Sequence, residues 1–358
     1  VLVAGAGRIG QYVVRDARRW AEHVVVADRD RHALERVPIG KGVDPLRVGV
    51  NELDVHLNDR NLLISCLPYR FNEELTEQCI ATETSMVDLG GSTEAVCRQL
   101  DEDDRAKEAG VTIVPDGGLS PGITNVLAAD LVNHGYTDEI RIRVGGLPLH
   151  PEPPLNYQLV FSVEGLVEEY TAPVLVLDDG RVQEREPLTE LESIRAGRFR
   201  DVGGHPLPDD PLVAFLTSGG SSTLPYTYEG TVDTLNDKSI RYHGHLEQVR
   251  ELVQRHGPNE LTDLLRERLK EGHRDVVLLS VTGRTGDEVA GFTLFETFDG
   301  DTTAMMKTTG AGICAVAELL AGGAIPANGV LKQENHVPPG PFLDQLRKRG
   351  LRIRRFSG

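Results

Sequence analysis

Gly5-Ala6-Gly7-Arg8-Ile9-Gly10 follows an apolar run, Val1–Ala4, and opens an amphipathic stretch. Glycines at this spacing, between a strand and a helix, meet three local needs at once. Gly5 permits the tight turn, Gly7 lets the backbone approach a diphosphate, and Gly10 lets the helix pack closely on the strand. The helix start around Arg8 and Ile9 adds unpaired amides and a favourable dipole for the phosphates. Asp28 ends the next apolar run, 18 positions after Gly10. A carboxylate there accepts hydrogen bonds from an adenosine ribose and repels a 2′-phosphate, which predicts NAD rather than NADP. Arg29 argues the other way, because a neighbouring guanidinium can accommodate that phosphate. The bland alternative is a glycine-rich turn that binds nothing; strand, glycines, helix and acid in register speak against it.

Such a site needs a parallel sheet behind it. Short apolar runs alternate with helical patterns, as in a doubly wound Rossmann sheet. Strands are predicted at Val1–Ala4, His23–Asp28, Leu46–Val50, Asn61–Cys66, Ser85–Leu89 and Val111–Pro115, and helices at Ile9–Trp20, Phe71–Ala81 and Glu94–Ala109. Ligands of these sheets gather at the carboxyl ends of the strands. Asp54-Val55 is therefore predicted near the adenine. Cys66-Leu67-Pro68 and Leu89-Gly90-Gly91 are predicted beside the ribose and nicotinamide. Each of these segments reads equally as plain turn chemistry.

After Pro115 the pattern changes. Gly117-Gly118-Leu119-Ser120-Pro121-Gly122 is a turn-rich junction, followed by a helix over Ile123–His134. Strands are predicted at Glu139–Val144, Tyr157–Ser162, Pro173–Leu177 and Arg181–Gln183, with Asp178-Asp179-Gly180 as a hairpin turn. Arg200–Pro211 reads as loop. Helices are predicted at Leu246–Arg255, Glu260–Glu271 and Ala311–Ala321. Asp275–Thr282 and Gly291–Asp299 alternate around Gly286 as a hairpin, and that hairpin is a candidate for a sheet shared between subunits. At 358 residues the chain exceeds the size at which one core usually stops growing. The expected fold is α/β: a Rossmann domain over residues 1–118, an α+β substrate and oligomerisation domain over 119–307, and a segment from about 308 to 358 packing back on the first.

Composition narrows the function classes. The net charge of −17 repels phosphate backbones and anionic lipid, so neither nucleic acid nor membrane is an expected partner. No run of about 18 apolar residues suggests a membrane span. Seven Lys against 31 Arg says nothing about the reaction. Cys66, Cys79, Cys97 and Cys314 are spaced too widely for a zinc pattern, and neither His150 nor His273 shows ligand spacing, so no metal is expected. His243 and His245 lie two apart without a third ligand. With no signal sequence ahead of the first strand pattern, reduced thiols in the cytoplasm are the expectation.

The Rossmann start, Val87-Asp88-Leu89-Gly90-Gly91 and Gly118-Leu119-Ser120-Pro121-Gly122 resemble the saccharopine dehydrogenase superfamily. So do Gly145-Gly146-Leu147-Pro148, Pro154-Leu155-Asn156-Tyr157 and Thr308-Thr309-Gly310, so the resemblance runs over nearly the whole chain. Saccharopine-forming reductases tend to follow the Pro-Leu-x-Tyr segment with Trp-Ser-Pro. This chain instead has Val160-Phe161-Ser162-Val163-Glu164-Gly165-Leu166, then Glu169-Tyr170, and later Ser222-Thr223-Leu224-Pro225-Tyr226-Thr227. Those segments are similar to the lysine 6-dehydrogenases, which oxidatively deaminate the side-chain amine of lysine. The resemblance implies a lysine-like substrate, touched by Thr223 and Tyr226, and a homodimer or homotetramer.

That chemistry sets requirements. A lysine ε-ammonium, with pKa about 10.4, arrives protonated and must lose its proton before hydride can leave. Water must then hydrolyse the imine to an aldehyde, which cyclises with the α-amine. The α-carboxylate calls for a cationic fork, and Arg241, in an Arg-Tyr-x-Gly segment shared by the resembling family, is the first candidate. A surface ion pair is its plain alternative. For the base, Asp116 follows the sixth strand, near the expected nicotinamide, although it also fits a cap on the Gly117 turn. His245 is the other candidate, with a pKa suited to neutral operation. Tyr157 is placed to orient the amine or the hydrolytic water. The competing readings are a saccharopine or carboxynorspermidine-type dehydrogenase acting on a secondary amine, and a non-catalytic NAD-sensing binding protein.

Overall fold

The computed structural model describes residues 1–38, 40, 42–195, 199, 211–272 and 274–358. His273 and all of the expected Arg200–Pro211 loop except Pro211 lie outside the described residues. The chain forms two compact units, Val1–Val126 with Met306–Arg349, and Leu127–Met305 with Gly350–Gly358.

The first unit alternates β1 (Leu2–Ala4), α1 (Arg8–Ala17), β2 (Val24–Asp28), α2 (Arg31–Glu35), β3 (Val43–Arg47), β4 (Leu62–Ser65), α3 (Asn72–Ala81), β5 (Ser85–Asp88), α4 (Thr93–Leu100), α5 (Asp103–Glu108) and β6 (Thr112–Val114). With β15 (Gly329–Val330) from the C-terminal segment, the seven strands run in the order β15-β6-β5-β4-β1-β2-β3, and every pairing is parallel. β1 and β4 lie at the centre and are buried at every residue, which is why they read as unbroken apolar runs. β3 begins three residues before the predicted Leu46–Val50. It is an edge strand that contains Pro45, a residue tolerated only where no inner neighbour needs its N–H. The predicted helix Glu94–Ala109 breaks at Asp101-Glu102 into α4 and α5.

The helix Ala304–Ala321 is mostly part of this unit. Any side chain at Gly310 would overlap the Tyr12 ring, and one at Gly312 would overlap the Gly118 carbonyl, so small residues let this helix seat against α1 and the turn that follows β6. Arg349 pairs with Asp16 of α1 at 2.7 Å and with Glu318 at 2.6 Å, all within the unit. The return segment is thereby fixed to the helix that carries the glycine motif. By length and composition alone Ala304–Ala321 could cross a membrane, contrary to the expectation that no such run exists. It is 67% buried inside the protein, as a core helix is.

The second unit follows α6 (Thr124–Asn133). Its strands are β7 (Glu139–Pro148), β8 (Val174–Asp178), β9 (Arg181–Arg185), β10 (Glu192–Ile194), β11 (Leu212–Leu216), β12 (Thr234–Tyr242), β13 (Asp275–Thr285), β14 (Glu288–Thr297) and β16 (Ile353–Ser357), with α7 (Val163–Thr171) after β7. The sheet runs β10-β11-β12-β7-β13-β14-β16, and the β8–β9 hairpin joins it at β12. Asp179 and Gly180 both have positive φ, 50° and 70°, as the two-residue turn of that hairpin requires.

Two expectations need correction here, and one strand lies where none was predicted. Tyr157–Ser162 forms no strand, only a single bridge from Leu159 to Glu271, and the Ser162 side chain instead caps α7 by accepting from the Gly165 amide. The β13–β14 hairpin exists, but β7 and β16 occupy its two outer edges, so it cannot extend a sheet into another subunit. β12 was not anticipated at all.

Candidate functional site

In the first unit the glycine turn has the geometry of a phosphate cradle. Gly5 sits at φ 98°, and a side chain there would crowd the Cys66 carbonyl at 3.1 Å; one at Gly10 would overlap the Gly5 carbonyl. Gly7 caps α1, has open space where a side chain would stand, and supplies no capping side chain to the first turn of the helix. Open space over the N-terminus of a helix fits a diphosphate. Asp28 is fixed at the end of β2: Oδ2 accepts from the Ala6 amide at 2.7 Å and Oδ1 from the Asp30 amide at 2.8 Å. Arg29 is exposed, and its carbonyl accepts from Arg47 Nε at 3.4 Å.

The other predicted coenzyme contacts fall after their strands. Asp54 and Val55 occupy a single 3₁₀ turn, with Val55 64% exposed. Cys66, Leu67 and Pro68 follow β4 half-buried, and burial pushes the Cys66 thiol up to about 12, so it is no thiolate. Leu89, Gly90 and Gly91 follow β5, the glycines at φ 66° and 117°. A side chain at Gly90 would overlap Asp116 Oδ1, which places the buried Asp116 carboxylate directly against this turn. Sequence reasoning passed over Asp88, a buried carboxylate bonded to Asn72, Gln99 and Gly90.

The second unit holds a buried polar cluster of its own. His245 opens the helix His245–Arg255 after Gly244, whose φ of 87° turns the chain out of β12. Its Nδ1 lies 2.7 Å from the Leu155 carbonyl and its Nε2 2.9 Å from the Tyr170 hydroxyl. A carbonyl only accepts, so Nδ1 carries the hydrogen and Nε2 accepts from Tyr170. Burial, reinforced by Arg241, lowers the His245 pKa to about 3. Neutral and engaged at both nitrogens, His245 does not fit the role of base that the sequence suggested. It positions Tyr170.

Arg241, 3% exposed on β12, takes up the chain of bonds. Nε donates to the Tyr170 oxygen at 3.2 Å, Nη1 to the Ile240 carbonyl at 3.0 Å and Nη2 to Glu169 Oε2 at 2.8 Å. Its guanidinium lies 4.9 Å from the centre of the Tyr157 ring. It is therefore a buried ion-paired residue and not a surface one. Among the described residues no partner takes the second N–H of Nη1 or of Nη2. The Tyr157 hydroxyl is likewise buried without a hydrogen-bond partner, and burial raises its pKa well above the usual value. Burial also raises Glu169, against the pull of Arg241.

The structure thus brings Tyr157, Arg241 and His245 together in one unit, and Asp116 with the coenzyme-binding segments in the other. Thr223 is buried at the start of the short helix Leu224–Tyr228, and Tyr226 on that helix is 47% exposed. Among the described residues no group of three or more His, Cys, Asp or Glu side chains is arranged to hold a metal.

Comparison with known proteins adds three findings. Residues 1–114 match the sequence family described as saccharopine dehydrogenase NADP binding domain, and residues 118–351 match the saccharopine dehydrogenase C-terminal domain. Curated relatives include the saccharopine dehydrogenase [NADP(+), L-glutamate-forming] of Pyricularia oryzae, 26% identical over 71% of this chain and 56% of that one. The mitochondrial alpha-aminoadipic semialdehyde synthase of Bos taurus is 27% identical over 51% of this chain, and the match spans only 21% of that longer protein. Among solved structures, the apo saccharopine dehydrogenase (L-Glu forming) of Saccharomyces cerevisiae shares the fold with a TM-score of 0.76 at 18% identity, over 100% of this chain and 99% of that one.

Proposed function

Because this chain belongs to the saccharopine dehydrogenase family, we propose that it is a pyridine-nucleotide oxidoreductase acting on an amine carbon of lysine or a lysine-derived amino acid. The observation that carries this reading is the pair in the second unit: a buried arginine that gives one hydrogen bond from each nitrogen, stacked on a tyrosine whose buried hydroxyl has no partner among the described residues. A guanidinium with N–H groups to spare and one O–H donor suit a carboxylate. Left without a ligand, such a hydroxyl costs about 1–3 kcal/mol, so its retention argues for an occupant.

In the proposed reaction Arg241 and Tyr157 hold the substrate carboxylate. Tyr157 serves as a donor only, since its phenol stays protonated. Glu169 neutralises Arg241, and the Leu155–His245–Tyr170 chain fixes its orientation. The ammonium must lose a proton so that the nitrogen lone pair can assist loss of hydride, and Asp116, set against Gly90 among the turns of the first unit, is the proposed base. When bound, the nicotinamide supplies the hydride acceptor. Water then adds across the carbon–nitrogen double bond, which gives an aldehyde and free ammonia. NAD is the proposed coenzyme, a reading supported by the carboxylate of Asp28 at the end of β2, since an acid at this point of the motif repels a 2′-phosphate.

The family names of the relatives favour a second reading, in which the substrate is a secondary amine and the nitrogen leaves as part of an amino acid. One assay panel separates the two. Purified protein is mixed with NAD or NADP and with L-lysine or L-saccharopine, from about pH 7 to about pH 10. NADH formed from lysine in step with ammonia, faster at alkaline pH, is the expected result. Turnover of saccharopine with glutamate and no ammonia would replace the first reading by the second. No turnover of either amine with either coenzyme would overturn both.

A further inference from the structure

Asp88, the last residue of β5, is fully buried. Its Oδ1 accepts from Asn72 Nδ2 at 2.8 Å and from the Gly90 amide at 2.7 Å, while Oδ2 accepts from Gln99 Nε2 at 2.8 Å. The Asp116 amide also donates to this carboxylate. The main-chain carbonyl of Asp88 accepts from the Gly117 amide at 2.6 Å. Gln99 gives its other amide hydrogen to Thr76 Oγ1 at 3.0 Å, and that hydroxyl donates onward to the Asn72 carbonyl at 2.8 Å. Among the described residues, every group that bonds the carboxylate is therefore an N–H donor. One anion ties α3 and α4 to the two turns that follow β5 and β6.

Those two turns have something else in common. Gly90 and Asp116 both sit in the left-handed region, at φ 66° and 64°. For Asp116 that conformation is uncommon and must be held by its surroundings. Its amide goes to Asp88, the next amide goes to the Asp88 carbonyl, and its side chain lies against the missing side chain of Gly90. Asp88 thus grips both the residue that makes room and the residue that fills it.

We propose that Asp88 is a positioning residue that sets the Asp116 carboxylate by anchoring the amides of Gly90 and Asp116 to a single buried anion. This rests on the reading of Asp116 as the base in the proposed function. Burial pushes Asp88 up to about 6 in spite of its donors. The side chains around it are the neutral amides of Asn72 and Gln99 and the Cys79 thiol of α3, which burial keeps protonated. Asp116 is the other acid joined to the cluster.

The test compares the full chain with Asp88→Asn and with Asp88→Asn/Gln99→Glu. The asparagine turns a donor toward Gln99, and the second change restores an acceptor there. Asp88→Asn should keep a cooperative melt but lose about tenfold or more in kcat, with the amine KM changed less than about threefold. The double variant should regain at least about threefold of that loss. An unchanged kcat in Asp88→Asn, or a double variant no better than the single, would overturn the proposal. Should Asp88→Asn fail to fold, NMR of the wild-type chain decides: the amide protons of Gly90 and Asp116 should titrate with one shared midpoint. Separate midpoints or no titration would overturn it. A wild-type chain that oxidises no amine would instead overturn the functional reading, while the shared titration still reports on the anchor.

Discussion

The two units prepare for a ligand by opposite means. In the first, the proposed recognising groups belong mostly to the main chain: the amides that open α1 and a glycine at each close approach, joined by one carboxylate, Asp28, itself held by two amides. In the second, they are side chains drawn from distant segments, with Arg241 bonded to residues 71 and 72 positions away and His245 to a carbonyl 90 positions away. A site made of backbone depends on side chains that are absent, so it should fail by steric overlap. A site made of side chains depends on charges that are matched, so it should fail by leaving one of them alone.

The sharpest break of that contrast uses two glycines of one motif. Gly10→Ala places a methyl group on the Gly5 carbonyl, and the turn must open. Misplacement by about 1 Å costs about 100-fold, so coenzyme binding should fall below detection in calorimetric titration. Gly7→Ala adds a methyl group in open space. It should keep the wild-type melting temperature and still lose coenzyme affinity, since the space it fills is where the diphosphate would lie. Unchanged affinity in Gly7→Ala would remove the cradle from this turn.

The matching break in the second unit is Arg241→Met. Glu169 would be left half-buried without its partner, and stability should drop by about 1–3 kcal/mol in denaturant unfolding. Arg241→Met with Glu169→Gln should recover most of that stability and none of the substrate affinity. If the double variant were as unstable as the single, the cost would lie in packing against Tyr157 and not in charge.

How much of this the sequence displayed follows from the same contrast. Gly5, Gly7, Gly10 and Asp28 lie within one strand–helix–strand unit, and central strands such as Leu62–Ser65 are apolar throughout, so local spacing reported them. β3 was misplaced because Pro45 disguises an edge strand. β12 was missed because Asn236, Asp237, Lys238 and Arg241 give it no apolar signal. Their polarity is absorbed by neighbours: Arg143 donates to Asn236 at 2.8 Å and pairs with Glu192, while Lys238 donates to the Glu190 carbonyl at 2.7 Å. The Glu169-Tyr170 pair was noticed as a motif, but its bond to Arg241 exists only once α7 and β12 are folded. Asp88 stood inside a recognised segment whose glycines drew the attention.

A pH experiment sets the two units against each other. His245 has a folded pKa of about 3, below its ordinary value, so on acidification the unfolded chain takes up a proton that the native one refuses. Stability of the second unit should fall by about 1.4 kcal/mol per pH unit below about pH 6.5. Asp88 is shifted the other way, to about 6. The native first unit takes up its proton before the unfolded chain does, so its stability should rise with a similar slope from about pH 6 down to about pH 4. Hydrogen exchange resolved along the chain should show protection diverging between the units over that range. His245→Gln should abolish the loss in the second, and Asp88→Asn the gain in the first. Equal acid responses in both units would refute the assignment of opposite shifts.

Tyr157→Phe should produce the smallest change in the fold and the clearest separation of binding from stability. The hydroxyl it deletes has no partner among the described residues, so the ring keeps its stack on Arg241 and nothing in the protein loses a hydrogen bond. Removal of an unsatisfied buried polar group is neutral or slightly stabilising, so unfolding free energy should stay within about 1 kcal/mol or rise. A hydrogen bond to a charged group contributes about 1.5–3 kcal/mol, so the KM for a carboxylate-bearing amine should rise at least about tenfold. An amine of the same length without a carboxylate should show no such change. If both amines were affected alike, Tyr157 would be acting on the nitrogen or the hydrolytic water instead. The side-chain-built site would then have to be redrawn around Arg241 alone.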